Sequence, residues 1–160
     1  MKASFVVLVA AAAVAAGCRK QESVGPNGEK VTVDERRGTV TVATGEGTAT
    51  LAQGSGSVVP ADFPKDVPIY PGGKVTGAVA SAGSVRSGHM LTIQTSDAPE
   101  KVADFYKTAL SGWKPELDVA SSDGRTLMLQ SPDRKRTVML NATHGSGGKT
   151  DVALTVAANQ

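Results

Sequence analysis

Hydrophobic positions follow three different spacings along this chain. An unbroken apolar run comes first, from Phe5-Val6-Val7-Leu8-Val9 through Ala10-Ala11-Ala12-Ala13-Val14, behind Lys2 and ahead of Ala15-Ala16-Gly17-Cys18. At roughly a dozen residues it is too short to span a bilayer as a mature helix, and its order is that of a secretory targeting segment. Residues 1–17 are therefore expected to be a signal peptide. Residues 18–30 are polar and aperiodic, and read as a flexible tether.

A period of two begins at residue 31. Val31-Thr32-Val33, Val40-Thr41-Val42 and Ala49-Thr50-Leu51 are separated by glycine-bearing turns. Such alternation predicts short strands, but the side chains are too small and few to stabilise a meander alone. Residues 31–59 are thus either a packed meander or a Gly/Thr-rich linker. Pro60, Pro64, Pro68 and Pro71 then stiffen residues 60–73 into an extended strap with Phe63, Val67, Ile69 and Tyr70 as apolar anchors.

The period changes to 3.6 over the next element. Val102, Phe105, Tyr106, Ala109 and Leu110 define one face of a helix. Asp97 is placed to cap it, with Glu100 completing a capping box, Pro99 in the first turn and Gly112 as the C-terminal cap. Strands are expected before it at Lys74–Ala80 and Met90–Thr95. After Trp113 the period returns to two, with strands near Pro115–Ala120, Thr126–Gln130, Thr137–Thr143 and Asp151–Ala157. Residues 74–160 are accordingly expected to be an α+β domain, an antiparallel sheet with one helix packed on its apolar face, in the order β-β-α-β-β-β-β.

Composition narrows the function classes. A net charge of +2 lacks the basic footprint of a nucleic-acid binder, and 4% aromatic residues leave the core to Val, Leu and Ala. The single cysteine cannot form an intramolecular disulfide, and thioether lipidation would account for its place at the end of the apolar run. Ordinary cleavage after Ala13-Val14-Ala15 and a retained helical anchor are the alternatives.

Ala16-Gly17-Cys18, the Phe-Pro-x-Asp-x-Pro-x-Tyr-Pro-Gly strap from Phe63 to Gly72, and Phe105-Tyr106 with Gly112-Trp113 together resemble a loose group of uncharacterised bacterial envelope lipoproteins. The resemblance implies a lipid on Cys18 and an address in the cell envelope; the outer membrane facing the periplasm is the expected side, with the inner membrane left open as the alternative. It implies no activity.

Catalytic and cofactor motifs do not assemble. Gly148-Lys149-Thr150 ends like a phosphate-binding loop but leads into a strand, not a helix N-terminus. His89 and His144 lack the ligand spacing of a zinc site. No cofactor and no metal is expected. Arg134-Lys135-Arg136 is the densest basic cluster, placed at a hairpin tip where it is either solvated or in contact with anionic lipid. Trp113 is expected to pack the helix end against the sheet. The main reading is a non-enzymatic, membrane-anchored interaction module. The alternative is a small-ligand-binding lipoprotein with a helix–sheet cleft lined by Trp113, Tyr106 and Met128.

Overall fold

A computed structural model describes residues 20–53, 59–83 and 87–159. Cys18 and the expected signal peptide lie outside the described residues. In chain order the elements are β1 (Lys20–Val24), β2 (Lys30–Asp34), β3 (Thr39–Thr44), β4 (Gly47–Gln53), β5 (Gly73–Gly83), β6 (Gly88–Thr95), α1 (Pro99–Ala109), β7 (Lys114–Ser121), β8 (Gly124–Gln130), β9 (Arg136–His144), a 3₁₀ turn (Ser146–Gly148) and β10 (Thr150–Ala158).

These strands form one antiparallel sheet in the order β1-β2-β3-β4-β5-β6-β10-β9-β8-β7. The expectation of a helix packed on a small sheet is corrected by this arrangement. The Val/Thr segment is neither a separate meander nor a linker. It pairs through β4 and β5 with the rest of the sheet, Leu51 opposite Val79 and Ala52 opposite Ala78. The expected tether is also shortened, because Lys20–Val24 adds an edge strand on β2. Sequence alternation predicts strands, but it does not say which strands find one another. Here the long β5 continues the meander into the sheet, so no second core is needed.

Alternation assigns the two faces. On the covered face, Leu91, Leu154, Leu140 and Leu127 lie opposite one another across β6, β10, β9 and β8, all at most 1% exposed. The chain leaves β6, crosses this face as α1 and returns at the edge strand β7, passing β10, β9 and β8 on the way. Val102, Ala103, Tyr106 and Leu110 are buried, and the helix touches β8 and β9. Each large apolar side chain buried there stabilises the fold by about 1.5–3 kcal/mol before entropy is subtracted.

Both expected caps are corrected. The N-cap is Ala98, with Pro99 opening the helix and no side-chain cap. Asp97 instead accepts from Tyr70 Oη at 2.6 Å and Lys101 Nζ at 2.8 Å. The C-cap is Leu110, with φ −110°, so Gly112 is not needed as a left-handed terminator. Ala109, assigned to the apolar face, is exposed, and Ala103 takes its place. The turn before β8 does require glycine. Gly124 has φ 148°, and a Cβ there would collide with the Ala142 carbonyl on β9.

The strap has no strand of its own and lies over the covered face. Phe63, Val67 and Tyr70 are buried. Phe63 meets the His89 ring edge-on at 5.6 Å, and Tyr70 meets Phe105 of α1 at 5.2 Å. The strap thus runs from β6 towards the helix, with proline-fixed φ values lowering the entropy lost on docking.

Leu154 is on the interior strand β10, between β6 and β9, and fully buried. Leu154→Ala is expected to destabilise the protein by about 3 kcal/mol through lost burial and the cavity left behind. Urea unfolding at neutral pH measures this, and a change below about 1 kcal/mol would place the core elsewhere.

Candidate functional site

The covered face is not filled evenly. The ladder Leu127–Leu140–Leu154–Leu91 continues onto β5 and β4 as Ala78 and Ala52, and onto β3 as Thr39. The neighbouring ladder passes from Val138 and Val156 through His89 to Ala80, Thr50 and Thr41. Both ladders step down from large to small side chains between β6 and β5. The first residues of the strap, Val59–Asp62, stand beside this step, and the missing side-chain volume is left as a cavity of about 570 Å³. Its floor is Thr39, Thr41, Thr50, Ala52, Ala78 and Ala80, and Arg37 is at its mouth.

Polarity changes along the groove. Ala52, Ala78, Val59 and Pro60 give the strap end an apolar lining, with the Asp62 carboxylate at its rim. The Thr41 and Thr50 hydroxyls share one hydrogen bond at 3.1 Å, which occupies one of the two hydroxyl donors within the floor itself. Beyond them lies a second hollow of about 250 Å³, which shares Arg37, Thr39 and Thr41 and adds Lys20, Thr32 and Asp34. Asp34 accepts from the Arg36 and Arg37 backbone amides at 3.0 and 3.2 Å. The groove thus has an apolar middle bounded by Asp62 at the strap end and by Lys20, Asp34 and Arg37 at the other. That arrangement suits an amphiphilic molecule, because such pockets combine an apolar lining with a few orienting polar groups.

His89 borders the apolar end. Its Nε2 is 3.9 Å from Asp62 Oδ2 at the start of the strap, and its side chain is 13% exposed. Its buried Nδ1 has no hydrogen-bond partner among the described residues.

The residues singled out from sequence are placed differently. Tyr106 is fully buried on the inward side of α1, and its hydroxyl has no hydrogen-bond partner among the described residues; burial pushes that phenol well above its usual range. Met128 lies between the inward Leu127 and Leu129, so it faces the opposite side of the sheet and cannot share a cleft with Tyr106. The space between α1 and the sheet is filled, with Val102, Ala103, Leu127 and Leu140 at 0–1% exposure.

Trp113 and Arg136 are brought together. The Arg136 guanidinium stacks over the Trp113 ring at 5.6 Å and forms a bidentate pair with Asp66 of the strap, both contacts at 2.6 Å. Arg136 thereby joins β9, the end of the helix and the strap. The basic cluster is split by this pairing. Arg134 and Lys135 remain exposed in the turn, where their carbonyls accept from Asn159 Nδ2 at 2.8 Å and its backbone amide at 2.7 Å. His144 and His89 stand at opposite ends of β10, beside Thr150 and Val156, and do not meet. No cluster of three or more His, Cys, Asp or Glu side chains occurs among the described residues. Lys149 donates to Gln94 Oε1 at 2.9 Å and leads directly into β10.

Residues 74–158, just over half of the chain, match the model of a START domain-like family. The chain belongs to that family, a sheet-dominated helix-grip fold, and membership points to a ligand-binding module. No curated protein and no solved structure gave a match. The matched span begins at β5, so the groove is built jointly by the family region and by the strap and meander preceding it.

The hydrogen bonds from Arg136 hold the Asp66 carboxyl below its usual range. The pair's contribution is therefore complete above pH about 4 and is lost as pH falls through the depressed value. Arg136→Met is expected to lower stability by about 1 kcal/mol at pH 7, a modest figure because the carboxylate is half exposed. The loss should shrink at pH 2–3, which thermal unfolding at both pH values measures. Tyr70 works in the other direction. Burial, then its bond to Asp97, push its phenol up to about 12. Stability should thus fall as pH rises from 10 to 12, with a smaller fall in Tyr70→Phe.

Proposed function

We propose that this chain is a ligand-binding module that holds a small apolar or amphiphilic molecule in the groove between the strap and β3–β5. The observation that carries the reading is the step from leucine to alanine on the covered face, which leaves about 570 Å³ beside the start of the strap. That volume lies within the usual range for small-molecule pockets. The apolar body of the ligand rests on Ala52, Ala78 and the threonine methyls. Its polar end points towards the hollow of Lys20, Arg37 and Asp34. There Asp34 already faces Arg37 at 3.9 Å and Lys20 leaves the positive excess, so a zwitterionic or anionic end suits better than a cationic one. Family membership supports a binding role, and the filled helix–sheet space favours this groove over a cleft beside Trp113.

Binding of a fluorescent apolar probe such as N-phenyl-1-naphthylamine tests the site. Thr41→Phe fills the groove and is expected to weaken binding at least tenfold, whereas Trp113→Phe leaves it within twofold. Equal binding by wild type and Thr41→Phe, with loss in Trp113→Phe, would move the site to the helix.

A second reading concerns the address of the chain. The sequence Lys2, apolar run, Ala16-Gly17-Cys18 favours a lipoprotein held at a bacterial membrane by lipid on its cysteine. Cys18→Ser is expected to abolish metabolic labelling with palmitate and to release the protein from the membrane fraction. Unchanged labelling and retention would sink this reading.

A further inference from the structure

The face of the sheet turned away from the helix and strap carries its own ladder. It runs across nine strands, from Val33 on β2 through Leu51 on β4, Met90 on β6 and Met139 on β9 to Leu117 on β7. Every member except Thr155 on β10 is apolar, and none is charged. Of the seven large apolar side chains most exposed among the described residues, five belong to this one row, at 36–45% exposure. Scattered exposed hydrophobics are ordinary, but a contiguous stripe across a whole sheet marks an interaction surface.

We propose that this open face is the interface with a second copy of the same chain, two sheets packing face to face about 10 Å apart. The row is self-complementary about Thr155, its one polar member. Thr155 is flanked by Met90 on one side and Met139 on the other. A two-fold axis along the strands at Thr155 sets Met90 against the Met139 of the second copy. An axis along the row sets each methionine against its own equivalent. In either case methionine meets methionine, a side chain whose flexibility tolerates imperfect registry. With no charge in the row, neither arrangement opposes like charges within it.

Area permits a stable contact. Ten strands at about 4.8 Å spacing make the sheet about 43 Å across, and strands near 25 Å long give an open face on the order of 1,000 Å². Standard interfaces need roughly 800 Å² per partner. A bilayer fits the face less well, because surface-bound elements combine an apolar face with free basic residues. Here Lys114 is paired with Glu116 at 2.8 Å, and the border near Lys74 and Lys149 also carries the Asp151 carboxylate beside Gln94.

Sedimentation velocity of the full chain at micromolar concentration tests the proposal, beside Met139→Lys and the milder Met139→Ser, with circular dichroism confirming that each is folded. The expected result is a dimer for wild type, a monomer for Met139→Lys and a dissociation constant raised at least tenfold in Met139→Ser. A wild-type monomer would overturn the proposal, whether it stays free, pellets with phosphatidylcholine vesicles or keeps Met139 protected from peroxide by its own residues 1–19. A dimer that persists unchanged in both variants would also overturn it, since association would then run through another surface.

Discussion

Coverage is the constraint on which this structure depends. Ten paired strands present a face about 43 Å wide, and the eleven-residue helix is about 16 Å long and about 10 Å thick. One such helix shields β8 and β9 and cannot reach the other edge. The remainder must be covered by other chain or filled with residues that tolerate partial exposure. The protein uses both solutions. The strap supplies Phe63, Val67 and Tyr70 over the middle of the sheet, and beyond it leucine gives way to alanine and threonine. The groove is the place where coverage runs out.

The contacts that hold the strap determine the shape of that groove. Arg136 grips Asp66 and stacks on Trp113, while Tyr70 is bonded to Asp97 and packed on Phe105. These fix the middle and far end of the strap. Its near end, Ala61–Asp62, is exposed, and the Asp62 carboxylate stands 3.9 Å from His89 Nε2, a long contact. On the proposed reading, a ligand entering beside Val59 and Pro60 would meet the least tightly bound part of the strap, on a floor of small side chains. Binding there would leave the packed core untouched.

Much of the local structure was legible in the sequence, and the architecture was not. The 3.6 period of Val102, Phe105, Tyr106 and Leu110 located the helix, and Val152, Leu154 and Val156 showed a half-buried strand. The caps misled because Asp97 is drawn to Tyr70, 27 residues earlier in the chain, a contact that no local pattern encodes. The Val/Thr alternation at 31–51 showed strands but concealed their orientation. Apolar side chains are expected to point inward, yet here threonines line the covered face and valines the open one. The same inversion hid the groove. Ala78 and Ala52 gain meaning only when pairing sets them in line with Leu91 and Leu154. Arg136 looked like part of a basic cluster until the fold brought Asp66 to it.

The inversion shapes both faces of the sheet, with small side chains opening a groove on the covered side and larger apolar ones left on the other. The groove carries the central functional claim. Its most direct test is a map of backbone amide shifts in isotope-labelled protein as a short-chain fatty acid is titrated in. The changes should concentrate at Thr39, Thr41, Thr50, Ala52, Ala78 and Ala80. Changes confined to Val102, Tyr106 and Leu127, between helix and sheet, would contradict the account.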